Sequence, residues 1–488
     1  MNAPTVPSTG LRSFDRLYIG GRWRAPAGDE LIEVVSPSTE ERLGEVPAGS
    51  PADIDLAVDA ARQAFDSGAW PGLDPAERSR LLRRVADEID ARVPEMTHAF
   101  TAEVGAPLAL SEMIQKMAAH FWRRNADLLD AMNFEQGRDW GSGAGTLRRE
   151  PLGVVATISP WNGPTANISM KMAPALAAGC TVVAKPAREG PVSTLIMAEA
   201  IEAAGLPEGV VSIVPAGREV GEHLVGHPGV DKVSFTGSTV AGRRVMELCA
   251  GRIARVTLEL GGKSAAIIAD DIPFDEFLPG LVAGGIGHSG QVCAALTRVL
   301  VSEVRHDDLV EALAAAFAAT KVGDPFDPAT ALGPLVAERQ RDRVEGYLEL
   351  GRSEGARVAA GGGRPADLPR GWFVEPTLFA DVTNDMRIAR EEIFGPVVSV
   401  LRYRDLDEAV AIANDSDYGL SGSIYATDLD LAGSLARRIR SGQVFLNGCG
   451  TTLDAPFGGY KQSGLGREGG PEGLEAFFET KLIVERGL

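Results

Sequence analysis

The chain has 488 residues, 44% hydrophobic and 24% charged, enough for about two to four domains with full cores. Its 57 Gly and 30 Pro follow no collagen-like period, and its four Cys (Cys180, Cys249, Cys293, Cys449) form no CxxC pair, which argues against a fibrous protein, a disulfide framework and a zinc site. With 48 Lys+Arg against 67 Asp+Glu the net charge is −19, so nucleic acid and anionic membrane surfaces are poor partners, and no metal is expected. No apolar run approaches the ~18 residues of a membrane span, and the first residues lack a charged-then-apolar leader. The expectation is a cytoplasmic protein in a reduced compartment.

In chain order, RLYIGGRW and ELIEVVSP read as short strands separated by Gly and Pro turns. From Asp53 to about Met132, apolar residues recur at spacings of three and four, which predicts helices, with Pro51 and the Asp74-Pro75 pair at their starts. A Gly-rich polar stretch follows at 133–151. From Leu152 the chain alternates short β-branched runs (GVVATISP, CTVVAKP, VVSIVPA, DKVSFTG, RVTLELGG) with Ala-rich helical stretches. A second such series runs from about Phe274 to Gln462. This β-α-β-α grammar predicts an α/β fold with two parallel sheets.

Two stretches match G-x-G-x-x-G, at Gly285–Gly290 and Gly464–Gly469, but neither lies between a buried strand and a helix, so neither reads as a dinucleotide fingerprint. A better phosphate site is Ser234-Phe235-Thr236-Gly237-Ser238-Thr239, which ends an apolar strand and opens a helix where free N–H groups face outward; an ordinary helix cap is the equal alternative. Glu259 sits between two Leu at the end of an apolar run, either as the solvent-facing member of an alternating strand or as a placed carboxylate. Cys293 follows a Gly-rich turn, a setting that exposes sulfur and lowers a thiol pKa, whereas Cys180 and Cys249 read as small buried apolar residues. His288 reads as a loop residue rather than half of a Cys–His pair. Only eight Lys stand against 40 Arg, so each Lys merits inspection.

Taken together, Pro160-Trp161-Asn162, Lys185-Pro186, Phe235-Thr236-Gly237-Ser238, Leu258-Glu259-Leu260-Gly261-Gly262, Gly290-Gln291-Val292-Cys293, Glu391 to Val397 and Pro456 to Gly464 stand in an order and spacing that resembles the aldehyde dehydrogenase superfamily from about Tyr18 to Val484. The resemblance implies a Rossmann-like dinucleotide-binding domain (1–132 and 152–261), an α/β catalytic domain (262–462) and a small β oligomerisation element (133–151 and 463–488), assembled as a homodimer or homotetramer. It implies NAD or NADP as cofactor, Cys293 as nucleophile, Asn162 as oxyanion donor and Glu259 as general base. It also assigns Trp161, Lys185, Arg188, Gly237, Ser238, Glu392 and Phe394 to the cofactor. Where many relatives place large aromatics, this chain has Gly163 and Met170. With Val292, Ala294, Thr451 and Phe457 these suggest a roomy, largely apolar tunnel for a medium or large uncharged aldehyde. The rival readings are a thiol-dependent esterase or thioesterase, and a catalytically inactive binding protein.

Overall fold

A computed structural model describes residues 11–141, 143–450, 452 and 454–486. The first sheet has eight strands in the order Gly464–Leu465, Arg255–Glu259, Lys232–Thr236, Val154–Ile158, Thr181–Lys185, Val211–Ile213, Leu17–Ile19 and Arg22–Arg24. Its middle five strands are parallel and its outer strands antiparallel. Val154–Ile158 and Thr181–Lys185 are buried throughout, as apolar strands covered on both faces must be. Strand alternation divides them between two cores. Val155 and Val182 pack with helices Pro75–Val104, Leu108–Asp130, Pro164–Ala178 and Pro191–Ala204, whereas Val154, Ala156 and Val183 pack with Pro51–Asp66, Arg218–Gly226 and Thr239–Ala250.

The second sheet has seven strands, in the order Arg357–Ala360, Thr377–Ala380, Val397–Tyr403, Arg298–Ser302, Ala265–Ile268, Gly422–Tyr425 and Phe445–Leu446, parallel except at the first edge. The expected α/β class with two parallel-centred sheets is therefore present.

The helical region divides into three helices: Pro51–Asp66 and Pro75–Val104 begin at the expected starts, and Leu108–Asp130 begins after Pro107, a start that the sequence reading does not mark. Ser50 and Asp53 form a reciprocal capping box, and Asp74 caps the second helix through the Ala76 N–H. The polar stretch near 133–151 forms strands Glu135–Asp139 and Ala144–Pro151, joined by Phe478–Arg486 in a third, antiparallel sheet. The segment 463–488, expected to lie wholly in this element, is divided. Gly464–Leu465 adds to the edge of the first sheet, and Leu474, Phe477 and Phe478 join the first core. Apolar residues spaced along a polar tail anchor it to the body before its last strand departs. Neither G-x-G-x-x-G stretch follows a buried strand: the first closes helix Phe274–Ile286, and the second begins in the partly exposed two-residue strand Gly464–Leu465 and leads only to the short helix Gly470–Glu475. Among the described residues, no helix is long and apolar enough to cross a membrane, and no cluster of ligands for a metal is found.

One buried carboxylate fixes the helix behind the Lys185 loop. Glu103 accepts from the backbone N–H groups of Val192 and Ser193 and from Ser193 Oγ, satisfying the first turn of Pro191–Ala204. Burial pushes its carboxyl up to about 7. The folded state then holds a proton that the unfolded chain releases above the ordinary carboxylate range, so this group's stabilisation is complete at low pH and is lost as pH rises through about 7. Glu103→Gln is expected to flatten the fall in thermal midpoint between pH 5.5 and 8. Unaltered pH dependence in calorimetry would remove Glu103 from this role.

Candidate active site

The carboxyl ends of the first sheet's parallel strands feed the residues of the cleft. Val154–Ile158 leads to Pro160, Trp161 and Asn162; Lys232–Thr236 leads to Gly237 and Ser238; Arg255–Glu259 leads to Leu260 and Gly261. This is where open α/β sheets bind ligands. The second domain closes the cleft with Cys293, Gln340, Arg343, Glu392, Phe394 and Tyr418, around a volume of about 470 Å³. An adjoining hollow of about 510 Å³ shares Ser238 and Val240 with it and reaches Lys185 between apolar walls that include Val225, Phe235 and Leu248. Together they make an elongated trough with Glu392 and Phe394 at one end and Lys185 at the other.

Ser238 caps helix Thr239–Ala250, its Oγ accepting from the Ala241 N–H, which is the cap reading of this turn, and the helix N-terminus opens on the trough. Lys185 Nζ donates to the carbonyl oxygens of Pro186 and Ala216, and burial lowers its ammonium to about 8. Arg188, three residues past Lys185, is exposed and paired to Glu30 at 2.9 Å, while its neighbour Glu189 pairs at 2.6 Å with Arg339, which lines the hollow. At the other end, Glu392 Oε1 accepts from the Gly262 N–H at 3.0 Å, and the Trp161 and Phe394 rings meet edge-on at 5.5 Å. Gly261 and Gly262 are needed for close approach: a Cβ on the first would strike the Glu392 carboxylate and on the second the Cys293 carbonyl.

Cys293 lies in the loop before strand Arg298–Ser302, partly exposed and packed beside Ala294, Leu420 and Phe457. Burial, then the nearby Glu392 and Glu259 carboxylates, push its thiol up to about 12, opposed by backbone N–H groups of Ala294 and Cys293 itself. Asn162 Nδ2 donates to the Gln291 carbonyl at 2.8 Å, which holds its amide beside the nucleophile loop. Glu259 is buried, not solvent-facing, because Gly464–Leu465 covers the edge on which it lies. Neither carboxylate oxygen has a hydrogen-bond partner among the described residues. Burial first, then Glu468, hold its carboxyl well above the usual range, with Lys171 and Arg467 opposing.

Behind it lies a network that sequence reasoning missed. Lys171 Nζ contacts both Glu468 oxygens at 2.7 Å and donates to Thr236 Oγ1 at 2.6 Å, while Ser234 Oγ donates to Glu468 at 2.8 Å; both ionic side chains are buried. The scarcity of Lys pointed to Lys171, but no local pattern marked Glu468, 297 residues away. Asn167 was also missed. It lines the cleft one helical turn past Gly163 and donates to the Gly163 carbonyl.

Of the expected pocket residues, Gly163 is buried beside Ile114 and Asn167. Met170 is half-buried with Leu110, Met117 and Trp161 against an apolar cluster that includes Phe100 and Phe121. Val292 is exposed. Thr451 lies outside the described residues. Cys180 and Cys249 are buried, as read from the sequence.

A sequence model of the aldehyde dehydrogenase family matches residues 23–483. Geranial dehydrogenase of Castellaniella defragrans is 47% identical over 473 residues, covering 96% of this chain and 98% of that protein. The solved structure of a Mycobacterium tuberculosis aldehyde dehydrogenase complexed with NAD+ superposes with a TM-score of 0.96 at 43% identity, over 98% of this chain and 99% of that one. That of a cysteine-to-alanine mutant of aldehyde dehydrogenase C from Pseudomonas syringae, with NAD+ and octanal, gives 0.93 at 42% identity, over 99% of each chain.

Proposed function

The chain belongs to the aldehyde dehydrogenase family and is an NAD(P)-dependent aldehyde-oxidising enzyme, and we propose that Cys293, Asn162 and Glu259 carry its chemistry on a medium or large uncharged aldehyde. The net reaction is aldehyde, water and NAD(P)+ to carboxylic acid, NAD(P)H and a proton. The observation that carries the assignment is that a partly exposed thiol and a side-chain amide line one cleft, with the Glu259 carboxylate, buried and with both oxygens unpartnered among the described residues, near enough to act on the thiol.

The Cys293 sulfur, deprotonated, bonds to the aldehyde carbon, and the carbonyl electrons move onto oxygen. That oxyanion accepts from the second Asn162 Nδ2–H and the Cys293 backbone N–H; one such donor is worth about 10²–10³ in rate. Expulsion of a hydride leaves a thioester on Cys293. Glu259 then takes a proton from water, whose oxygen attacks the thioester carbon, and the carbon–sulfur bond breaks to release the acid. Lys185 and Glu392 would hold ribose hydroxyls and the Gly237-Ser238 turn the pyrophosphate, with Trp161 and Phe394 near the nicotinamide. The bound dinucleotide supplies the hydride acceptor and a positive ring charge near a thiol that is otherwise held neutral.

An apolar cluster of Met170, Met117, Ile114 and Phe121 lies beside Gly163 and would suit the class of compound named for the relatives, geranial and octanal. The unpaired edge of Phe478–Arg486, with Leu482, Ile483 and Val484 each nearly half exposed, supports assembly as a homodimer or homotetramer. Free cysteines and a net charge of −19 support a cytoplasmic location without nucleic-acid partners.

Glu259→Gln is expected to give a rapid burst of NAD(P)H and then slow turnover, because acylation survives and deacylation does not, whereas Cys293→Ala abolishes both. The general base acts when ionised, and its carboxyl is held high, so wild-type deacylation should fall as pH drops through a point above the usual carboxylate range. Loss of the burst in Glu259→Gln would sink the base assignment. Gly163→Phe places a Cβ 3.3 Å from Asn167 Nδ2, whose side chain must give by a few tenths of an ångström, and 3.8 Å from Ile114. It should lower kcat/KM for geranial or octanal far more than for propanal, and equal losses would move the tunnel elsewhere.

The exposed Arg188–Glu30 pair is weak enough to exchange for a 2′-phosphate, so NADP should be accepted beside NAD. Arg188→Glu should raise KM for NADP by about tenfold, ~1.4 kcal/mol, with little change for NAD. An unmoved NADP/NAD ratio would reduce Arg188 to a surface charge.

A further inference from the structure

We propose that His288 is a positioning residue for this reaction, locking the Asn162 amide to the turn that carries Cys293. The inference rests on the assignment of Asn162 as oxyanion donor. His288 was read from the sequence as a loop residue; the structure buries its ring beside Phe100, with Nε2 3.1 Å from the main-chain oxygen of Asn162. A carbonyl oxygen can only accept, so Nε2 carries the hydrogen and donates. Burial lowers the imidazole to about 4, so the ring stays neutral near neutral pH.

The contact closes a ring of hydrogen bonds. Asn162 Nδ2 donates to the Gln291 carbonyl at 2.8 Å, the Gln291 N–H donates to the His288 carbonyl at 3.0 Å, and Gln291 Nε2 reaches the same carbonyl at 3.2 Å. His288 Nε2 then returns to Asn162. The nucleophile stands two residues beyond Gln291. One of the two Asn162 amide hydrogens is thereby engaged, which orients the other.

This turn would not hold its shape unaided. His288 and Ser289 both have φ of +54°, and Gly290 follows at +70°, where a Cβ would strike the Gly395 carbonyl. A non-glycine residue in that region is strained and persists only where its surroundings over-determine it. Ser289 Oγ donates to the Gly333 carbonyl at 2.7 Å, and Gln291 Oε1 accepts from the Val336 N–H at 3.0 Å. Those two bonds tie the turn to the second domain. The His288 and Asn162 bonds tie it to the first, across the cleft where the oxyanion forms. Misplacing a catalytic donor by ~1 Å costs about 10²-fold, and the loss falls on the transition state rather than on substrate binding.

His288→Leu removes the donor while keeping an apolar filling; His288→Gln puts an amide N–H near the place of Nε2. His288→Leu should lower the NAD(P)H burst rate and kcat by about tenfold or more, leaving aldehyde KM and dinucleotide Kd within about twofold, and His288→Gln should recover most of the loss. In an Asn162→Ala background, His288→Leu should cost no more than about threefold, because the donor it positions is already gone. The proposal is overturned if His288→Leu keeps kcat, if its loss appears in KM, if His288→Gln is no better, or if the full loss persists without Asn162. A wild-type enzyme active on aldehydes but indifferent to Asn162→Ala would instead overturn the parent assignment, and this one with it.

Discussion

A buried ion pair holds the reacting end of the cleft together. Lys171 belongs to the helix that follows Asn162, Ser234 and Thr236 to the strand that leads to the Gly237 turn, and Glu468 to the C-terminal segment that returns from the second domain. Glu468 also exchanges backbone hydrogen bonds with Phe457, whose ring packs with Ala294 beside Cys293. A buried pair adds little net stability, since desolvation offsets attraction, but losing one partner strands the other at a cost of about 3–5 kcal/mol. Its value lies in specificity of place. Residues nearly 300 positions apart must meet at one point, and the segment carrying Gly464–Leu465 is thereby set against the edge that buries Glu259.

The same burial sets the electrostatic character of the cleft. Cys293, Glu259 and Glu392 each become anionic on losing a proton, each is desolvated, and each shift runs toward the neutral form. The Cys293 thiol is raised further by the two carboxylates. Without a ligand, the cleft disfavours the thiolate it needs for reaction. A cationic ring bound at the Glu392 and Phe394 end, as proposed for the cofactor, would oppose that preference, because opposite charge within a few ångströms favours the ionised form. Reactivity of the sulfur would then follow occupancy of the trough.

Much of the frame was legible in the sequence because its signals are local. Alternating apolar strands and Ala-rich helices gave the two parallel sheets, and Pro51 and the Asp74-Pro75 pair marked helix starts that the structure bears out. The strand-to-helix turn at Gly237-Ser238 was readable for the same reason. Glu259 was ambiguous, since an alternating strand does not say which edge a distant two-residue strand will cover. Glu468 carried no mark at all, and Lys171 only its rarity. His288 was dismissed because its partner, the main-chain oxygen of Asn162, is 126 residues away and has no side-chain identity to read. What stayed hidden is what depends on long-range meeting rather than on local pattern.

The helix Pro164–Ala178 carries both the cleft and the ion pair. Asn167 lines the cleft, and Lys171 lies four residues further on, so the two are neighbours on one stretch of the helix surface. Any change at 171 leaves Glu468 buried and uncompensated. Ser169, on the opposite side, accepts from the Trp122 indole and fixes the helix against its neighbour. The 3.6-residue turn thus sets a fixed spacing between a residue that lines the cleft and the buried cation behind it, so a shift of this helix moves both together.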